Sequence, residues 1–344
     1  MKRERLFYLD FIRAVAVCLI VITHYNAIYL YLPTPAPEKA FITTFVSNIY
    51  IGDLGAALFF IISGAALMYV YKNECSLKEY YKKRFLSIYP MFWMTYTIDF
   101  LIRTYLDGGI DPAIPKWKII FSVAGMDRYL EELVHPFLCV GEWFLGCIIL
   151  MYLLFPLIRK MVLVNPVILS VIVMGLYILT LLVDDRFFPV GKNLFVHLPK
   201  FVLGMLFVCY IRKINIPMLL GAVCIVVVNG ILKPVFIHDA VQVLYVGSAV
   251  FVILAFLAER IECNPVKYLS AVLAKYSYAV FLVHHVLIMR LVSKVDLENI
   301  TKTDSYLLFF FCVLCIAFAS KAVYVLHSGM MKSLKQMFKR EELI

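Results

Sequence analysis

Apolar residues run together along this chain in ten blocks, at about 7–31, 49–71, 88–106, 139–158, 166–183, 195–212, 215–232, 240–258, 268–292 and 305–327. Each is close to the length that a helix needs to cross the roughly 30 Å hydrocarbon core of a bilayer. The charged segments between them alternate in sign. Lys2, Arg3 and Arg5 precede the first block. Lys72, Lys78, Lys82, Lys83 and Arg84 follow the second, Arg159 and Lys160 the fourth, Arg212 and Lys213 the sixth, Arg260 and Lys267 the eighth, and Lys332, Lys335, Lys339 and Arg340 the tenth. The opposite connections carry Asp107, Asp111, Asp127, Glu131 and Glu132, or Asp184 and Asp185. Lys and Arg mark cytoplasmic loops. The pattern predicts an all-α, polytopic transmembrane bundle of about ten spans with both termini in the cytoplasm. It forms one domain, residues 1–330, followed by a short basic cytoplasmic tail, 331–344, that reads as a surface helix. No internal repeat or low-complexity segment stands out.

Composition narrows the class. A chain that is 63% hydrophobic and 16% charged, with mean hydropathy +0.88, is too apolar for a soluble globule. A net charge of +10 would suit nucleic acid, but the loops that orient membrane helices account for it, and no nucleic-acid partner is expected. The nine cysteines lie mostly in apolar runs. Cys312-Val-Leu-Cys315 has a redox or metal spacing, yet it sits in a Leu/Phe-rich helix without a second ligand pair. It reads as two small apolar residues, and no metal site is expected. The N-terminus is basic and then apolar, as in a signal peptide. The run is too long, contains Asp10 and Arg13, and lacks a small-residue cleavage site, so a retained first helix is expected.

The first block holds the densest candidate chemistry. Asp10, Arg13 and His24 interrupt it, and ionisable groups in a membrane helix usually face the protein interior and act there. Arg13 and His24 are eleven residues apart, which is about 20° beyond three full turns and about 16 Å of rise. They share one face, with Asp10 one turn before Arg13 and able to pair with it. With the first helix running outward, Arg13 falls in the cytoplasmic third and His24 in the outer third. Elsewhere, Asp53 lies near the outer mouth of the second block among small residues suited to close packing. Lys78–Pro90 is an amphipathic cytoplasmic stretch, read either as an interfacial helix on anionic lipid or as a phosphate clamp. Glu142 precedes Trp143 at the outer end of the fourth block. It reads as a solvated interfacial residue or as the acid partner of an imidazole. His197, Lys200, His284 and His285 lie in outer halves, where a packed polar contact is an equally good reading for each histidine.

Four stretches together resemble the membrane acyltransferase family 3, the bacterial integral-membrane O-acyltransferases of surface glycans. Tyr8-Leu-Asp10-Phe-Ile-Arg13…His24 is similar to the family's Arg-x10-His pattern and its LD-x-x-R lead. Gly55-Ala-Ala-Leu-Phe-Phe-Ile-Ile-Ser63-Gly64 is similar to G-x-x-LFF-x-ISG, and Arg84-Phe-Leu-Ser-Ile-Tyr-Pro90 to R-x-x-R-I-Y-P. Trp143-Phe-Leu…Tyr152-Leu-Leu-Phe-Pro156, with Tyr278…Leu282-Val-His284, completes the set. Ser87 stands where the third motif has its second arginine, and Lys82 and Lys83 are the neighbouring cations.

The resemblance implies a multi-pass protein of the bacterial cytoplasmic membrane. It would move an acyl group, most often acetyl, from cytoplasmic acyl-CoA to a hydroxyl of a glycan or lipid-linked saccharide. No cofactor is bound permanently, since acetyl-CoA or another acyl-CoA is the donor substrate. Membrane lipid and polysaccharide-assembly proteins are the remaining partners. On this reading His24 is the general base or the residue transiently acylated, Asp10 holds Arg13, and Arg13 meets the donor or the developing charge. Lys82, Lys83 and Arg84 take the CoA phosphates, while Glu142, His284 and Asp53 line the acceptor site. Relatives with a fused extracellular hydrolase-like domain exist; without one, transfer would be finished within the bundle or handed to a separate protein. A polysaccharide exporter or flippase is the alternative, although no paired broken helices in corresponding halves support it. A scaffold would leave a fixed Arg–His stripe unexplained.

Overall fold

The computed structural model describes residues 5–106, 108–109, 113–134, 140–183, 188–211 and 213–341, with side chains to 337. Lys2, Arg3, Asp107, Asp111, Cys139, Asp184, Asp185 and Arg212 lie outside the described residues, as do the side chains of Lys339 and Arg340. All ten predicted blocks are helical. They correspond to α1 (Phe7–Leu30), α2 (Ile51–Tyr71), α3 (Leu77–Leu106), α5 (Trp143–Val164), α6 (Pro166–Leu182), α7 (Leu194–Tyr210), α8 (Ile216–Leu232), α9 (Ala240–Ala258), α10 (Asn264–Val292) and α11 (Lys302–Glu341). A short helix, α4 (Ile119–Ala124), lies in the connection between α3 and α5. Among the described residues, eight helices are long and apolar enough to cross a membrane, whereas α6 and α8 are apolar helices of 17 residues. The outer faces of α6, α8 and α11 expose Val171, Leu179, Leu220, Val227, Leu314 and Phe318. In a soluble protein such faces would be liabilities; in a bilayer they are the lipid contact.

Helix α2 is the hub. It is the most buried of the spans and packs on α1, α7, α9 and α5. Its crossing with α7 is made by two glycines. A Cβ on Gly64 would collide with the Phe201 carbonyl, and one on Gly204 with the Ile61 carbonyl. The two backbones therefore touch, as small residues allow in membrane helix pairs. Gly64→Ala or Gly204→Ala is expected to cost about 3 kcal/mol or more, because backbone cannot move aside as a side chain can. Both variants should show a lower Tm in detergent and reduced membrane levels, whereas Gly175→Ala, with open space around it, should not.

Three local features depart from the sequence expectation. The Lys78–Pro90 stretch is not a separate loop segment: α3 starts at Leu77 and carries Pro90 within it. Pro90 has no N–H for the Leu86 carbonyl one turn earlier, a loss that membrane helices tolerate; in the same turn the Tyr278 hydroxyl of α10 donates to the Ile88 carbonyl at 3.0 Å. The basic residues after Gly329 are part of α11, which runs unbroken to Glu341. Before α2 stands a two-residue hairpin, Phe45–Val46 paired antiparallel with Ile49–Tyr50. Ser47 and Asn48 form its turn at φ 50° and 60°, the left-handed backbone that such turns require. Asn48 donates to Gln242 at 3.0 Å, and Ser47 donates to the Val226 carbonyl at 2.6 Å. These bonds pin the start of α2, and hence Gly52 and Asp53, against α8 and α9.

Candidate active site

One cavity of about 900 Å³ runs between α1, α2, α3, α5 and α10, and it is lined by both Arg13 and His24. At the Arg13 end, α3 contributes Arg84 and Ser87, α5 contributes Tyr152, and α10 contributes Ser277 and Tyr278. The Arg84 guanidinium lies 5.8 Å from the centre of the Tyr152 ring, and its Nε is buried without a hydrogen-bond partner. Arg13 sits 3.7 Å from Asp10, which also pairs with Arg5. Asp10 is buried and is not part of the cavity wall; it holds Arg13 from behind. Lys82 and Lys83 are exposed on α3 and do not line the cavity. On an α-helix residues two and one positions before Arg84 point about 200° and 100° away from it. Of the three cations assigned to the donor phosphates from sequence, only Arg84 is placed in the cavity. Ser87, where the family motif has its second arginine, leaves space in the wall beside it.

The other end is built from imidazoles and carboxylates. His24 on α1 faces two consecutive histidines of α10, with ring centroids 4.7 Å from His284 and 4.8 Å from His285. Glu142, the residue immediately before α5, accepts a hydrogen bond from Nδ1 of His285. Its second oxygen lies 3.9 Å from Arg128. Arg128 in turn reaches Glu131 at 2.5 Å, and Lys192, ahead of α7, pairs with Glu131 and with Glu132 at 3.0 Å. A chain of ion pairs thus runs from the start of α7 through the 126–134 segment to the histidines. Asp53 lines the cavity as well, on the side of α2 where Gly52 packs against Thr23.

The structure therefore brings His24, Asp53 and Glu142 together as the sequence grouped them, but it exchanges the α10 histidine. His284 does not line the cavity. It is fully buried, and its Nδ1–H donates to the carbonyls of Val280 at 3.1 Å and Phe281 at 2.9 Å. His285 takes the cavity position and the Glu142 partner. His197 and Lys200 form a structural contact. His197 stacks between Phe60 and Trp143, donates from Nε2 to the Gly191 carbonyl at 2.8 Å, and accepts from Lys200 at Nδ1. Arg128 went unnoticed in the sequence because a single arginine in a long loop carries no periodic signal. One atom each from His24, Glu142 and His285 lie within 4.8 Å of one another, the only grouping of three such donors among the described residues.

Residues 6–326 match the model of the family described as "Acyltransferase domain". The chain belongs to that family, the membrane acyltransferases that its motifs resemble. It is also similar to "Acyltransferase MdmB" of Streptomyces mycarofaciens, 27% identical over 122 residues. The match covers 34% of this chain and 31% of that relative's length. No solved structure gives a significant match.

Proposed function

We propose that this acyltransferase takes an acyl group, most simply acetyl, from cytoplasmic acyl-CoA and passes it to a hydroxyl of a glycan or lipid-linked saccharide. The observation that supports this is a single cavity with Arg13 and Arg84 at one end and a histidine–carboxylate cluster at the other, Arg13 and His24 being about 16 Å apart along α1. That division suits a long donor with an anionic head and a reactive thioester tail. Arg84 and Arg13 would meet phosphate oxygens, which guanidinium binds better than ammonium because of its planar fork. The pantetheine arm would extend past the aromatic wall formed by Tyr152, Tyr278 and Phe281.

At the far end, on this reading, His24 is the general base. It would take the proton of the acceptor hydroxyl as the oxygen attacks the thioester carbonyl. The C–S bond then breaks, and CoA leaves as a thiolate that recovers a proton. Glu142, fixed by His285 and Arg128, supplies the negative charge that offsets the imidazolium as it forms. Asp53 and Arg128, which line the same cavity, are the proposed hydrogen-bond partners of the saccharide.

Donor-binding kinetics test this placement. Arg84→Ala should raise KM for acyl-CoA by about 10- to 100-fold, the equivalent of a charge-assisted hydrogen bond of about 1.5–3 kcal/mol. Lys82→Ala and Lys83→Ala, which change exposed charges, should alter it by only about threefold. Equal effects at all three positions would remove the donor from the cavity.

A further inference from the structure

The histidine–carboxylate cluster carries chemistry beyond proton transfer. Two imidazoles and a carboxylate from three different helices converge on one point, with their donor atoms within 4.8 Å of each other. On a tetrahedral zinc ion with bonds of about 2.0–2.2 Å, ligand atoms stand roughly 3.4 Å apart. The cluster is thus within small side-chain rotations of a coordinating arrangement, and the open cavity leaves room for a fourth ligand. The charges point the same way. Glu142 brings a negative charge to the imidazoles, and Arg128 makes its closer contact with Glu131 at 2.5 Å rather than with Glu142 at 3.9 Å. A third imidazole backs the cluster. His284 is fully buried, donates from Nδ1 to backbone carbonyls, and leaves Nε2 without any partner, its ring 4.7 Å from that of His24. His284 stands outside the group of three converging atoms and packs behind His24.

We propose that His24, His285 and Glu142 form a binding site for a divalent transition-metal ion of the zinc class, and that the bound ion shuts the enzyme off. Coordination uses the lone pairs of neutral imidazoles and the ionised carboxylate, the His285–Glu142 hydrogen bond gives way to bonds from both residues to the metal, and no electron is transferred. The lone pair that His24 needs to accept the hydroxyl proton is then held by the metal. The inhibitory consequence rests on the acyl-transfer reading; the binding does not.

The test uses full-length protein, purified in detergent and stripped with a chelator. Co²⁺ is titrated in and its visible d–d bands are followed, and Zn²⁺ is then added in competition. Wild type should bind one Co²⁺ per chain and release it to Zn²⁺. His285→Ala and Glu142→Ala should weaken binding by on the order of 100-fold, while His327→Ala, in a separate cavity of α11, should not. Zn²⁺ should also protect His24 and His285 of the wild type from a histidine-modifying reagent, read by mass spectrometry, which needs no variant to fold. Acyl transfer should fall as Zn²⁺ is added and return with chelator. Absence of cobalt bands in wild type, absence of protection, or equal affinity in well-folded cluster variants would overturn the site. Transfer that requires Zn²⁺ would overturn the inhibitory role while leaving the site standing.

Discussion

His24→Ala should reduce acyl transfer by about 10²- to 10⁴-fold while membrane level and detergent stability stay close to wild type. That range is what a positioned general base contributes. The stability expectation comes from the packing. His24 lies in the wall of a cavity and makes ring contacts with His284 and His285, so truncation enlarges an open space and leaves the helix crossings intact. Acyl-CoA binding should persist, because the groups placed at the donor end are Arg13 and Arg84. A preparation of His24→Ala that binds acyl-CoA, elutes as wild type and still transfers at the wild-type rate would remove His24 from the chemistry.

Glu142→Gln should have the next largest effect, about 10²-fold on kcat. The amide keeps an oxygen that can accept from His285 but carries no charge. Glu142 and His24 donor atoms lie within 4.8 Å. At an effective dielectric constant near 20, opposite charges about 5 Å apart attract by about 3 kcal/mol, and each 1.4 kcal/mol is a factor of ten. The loss should appear in kcat and leave KM for acyl-CoA nearly unchanged, since the imidazolium exists only as the proton moves. A change confined to KM would instead mark Glu142 as a binding group. His285→Ala tests the same link from the other side. It removes the partner that orients Glu142, and a full-activity His285→Ala enzyme would show that Arg128 alone suffices to hold the carboxylate.

Where sequence and structure agree or part company has a physical explanation. The ten helices were visible because lipid demands long apolar runs with internally satisfied backbones. Arg13 and His24 could be grouped because eleven residues nearly complete three turns, a property of one helix that needs no knowledge of its neighbours. The choice between His284 and His285 is of another kind. Adjacent helical residues point about 100° apart, and only the rotation of α10 against α1 decides which enters the cavity and which turns into the core. The same limit applies to Lys82 and Lys83, whose charge was plain but whose direction was set by α3 beginning at Leu77 and continuing through Pro90. Proline is a strong break signal in sequence, yet α3 carries Pro90 in its interior. Arg128 and Lys192 come from the connections between the spans and meet Glu142 only through the folded chain of ion pairs.

Passage of an acyl group within one cavity, from a CoA donor to a hydroxyl that His24 activates, is the expected reaction. It is tested most directly by incubating purified protein in nanodiscs with radiolabelled acetyl-CoA or succinyl-CoA, and following CoA release and protein-bound label in wild type against His24→Ala. The account predicts His24-dependent CoA release or labelling, stimulated by a saccharide acceptor. Neither binding nor turnover of any acyl-CoA by folded wild-type protein would contradict it and favour glycan export.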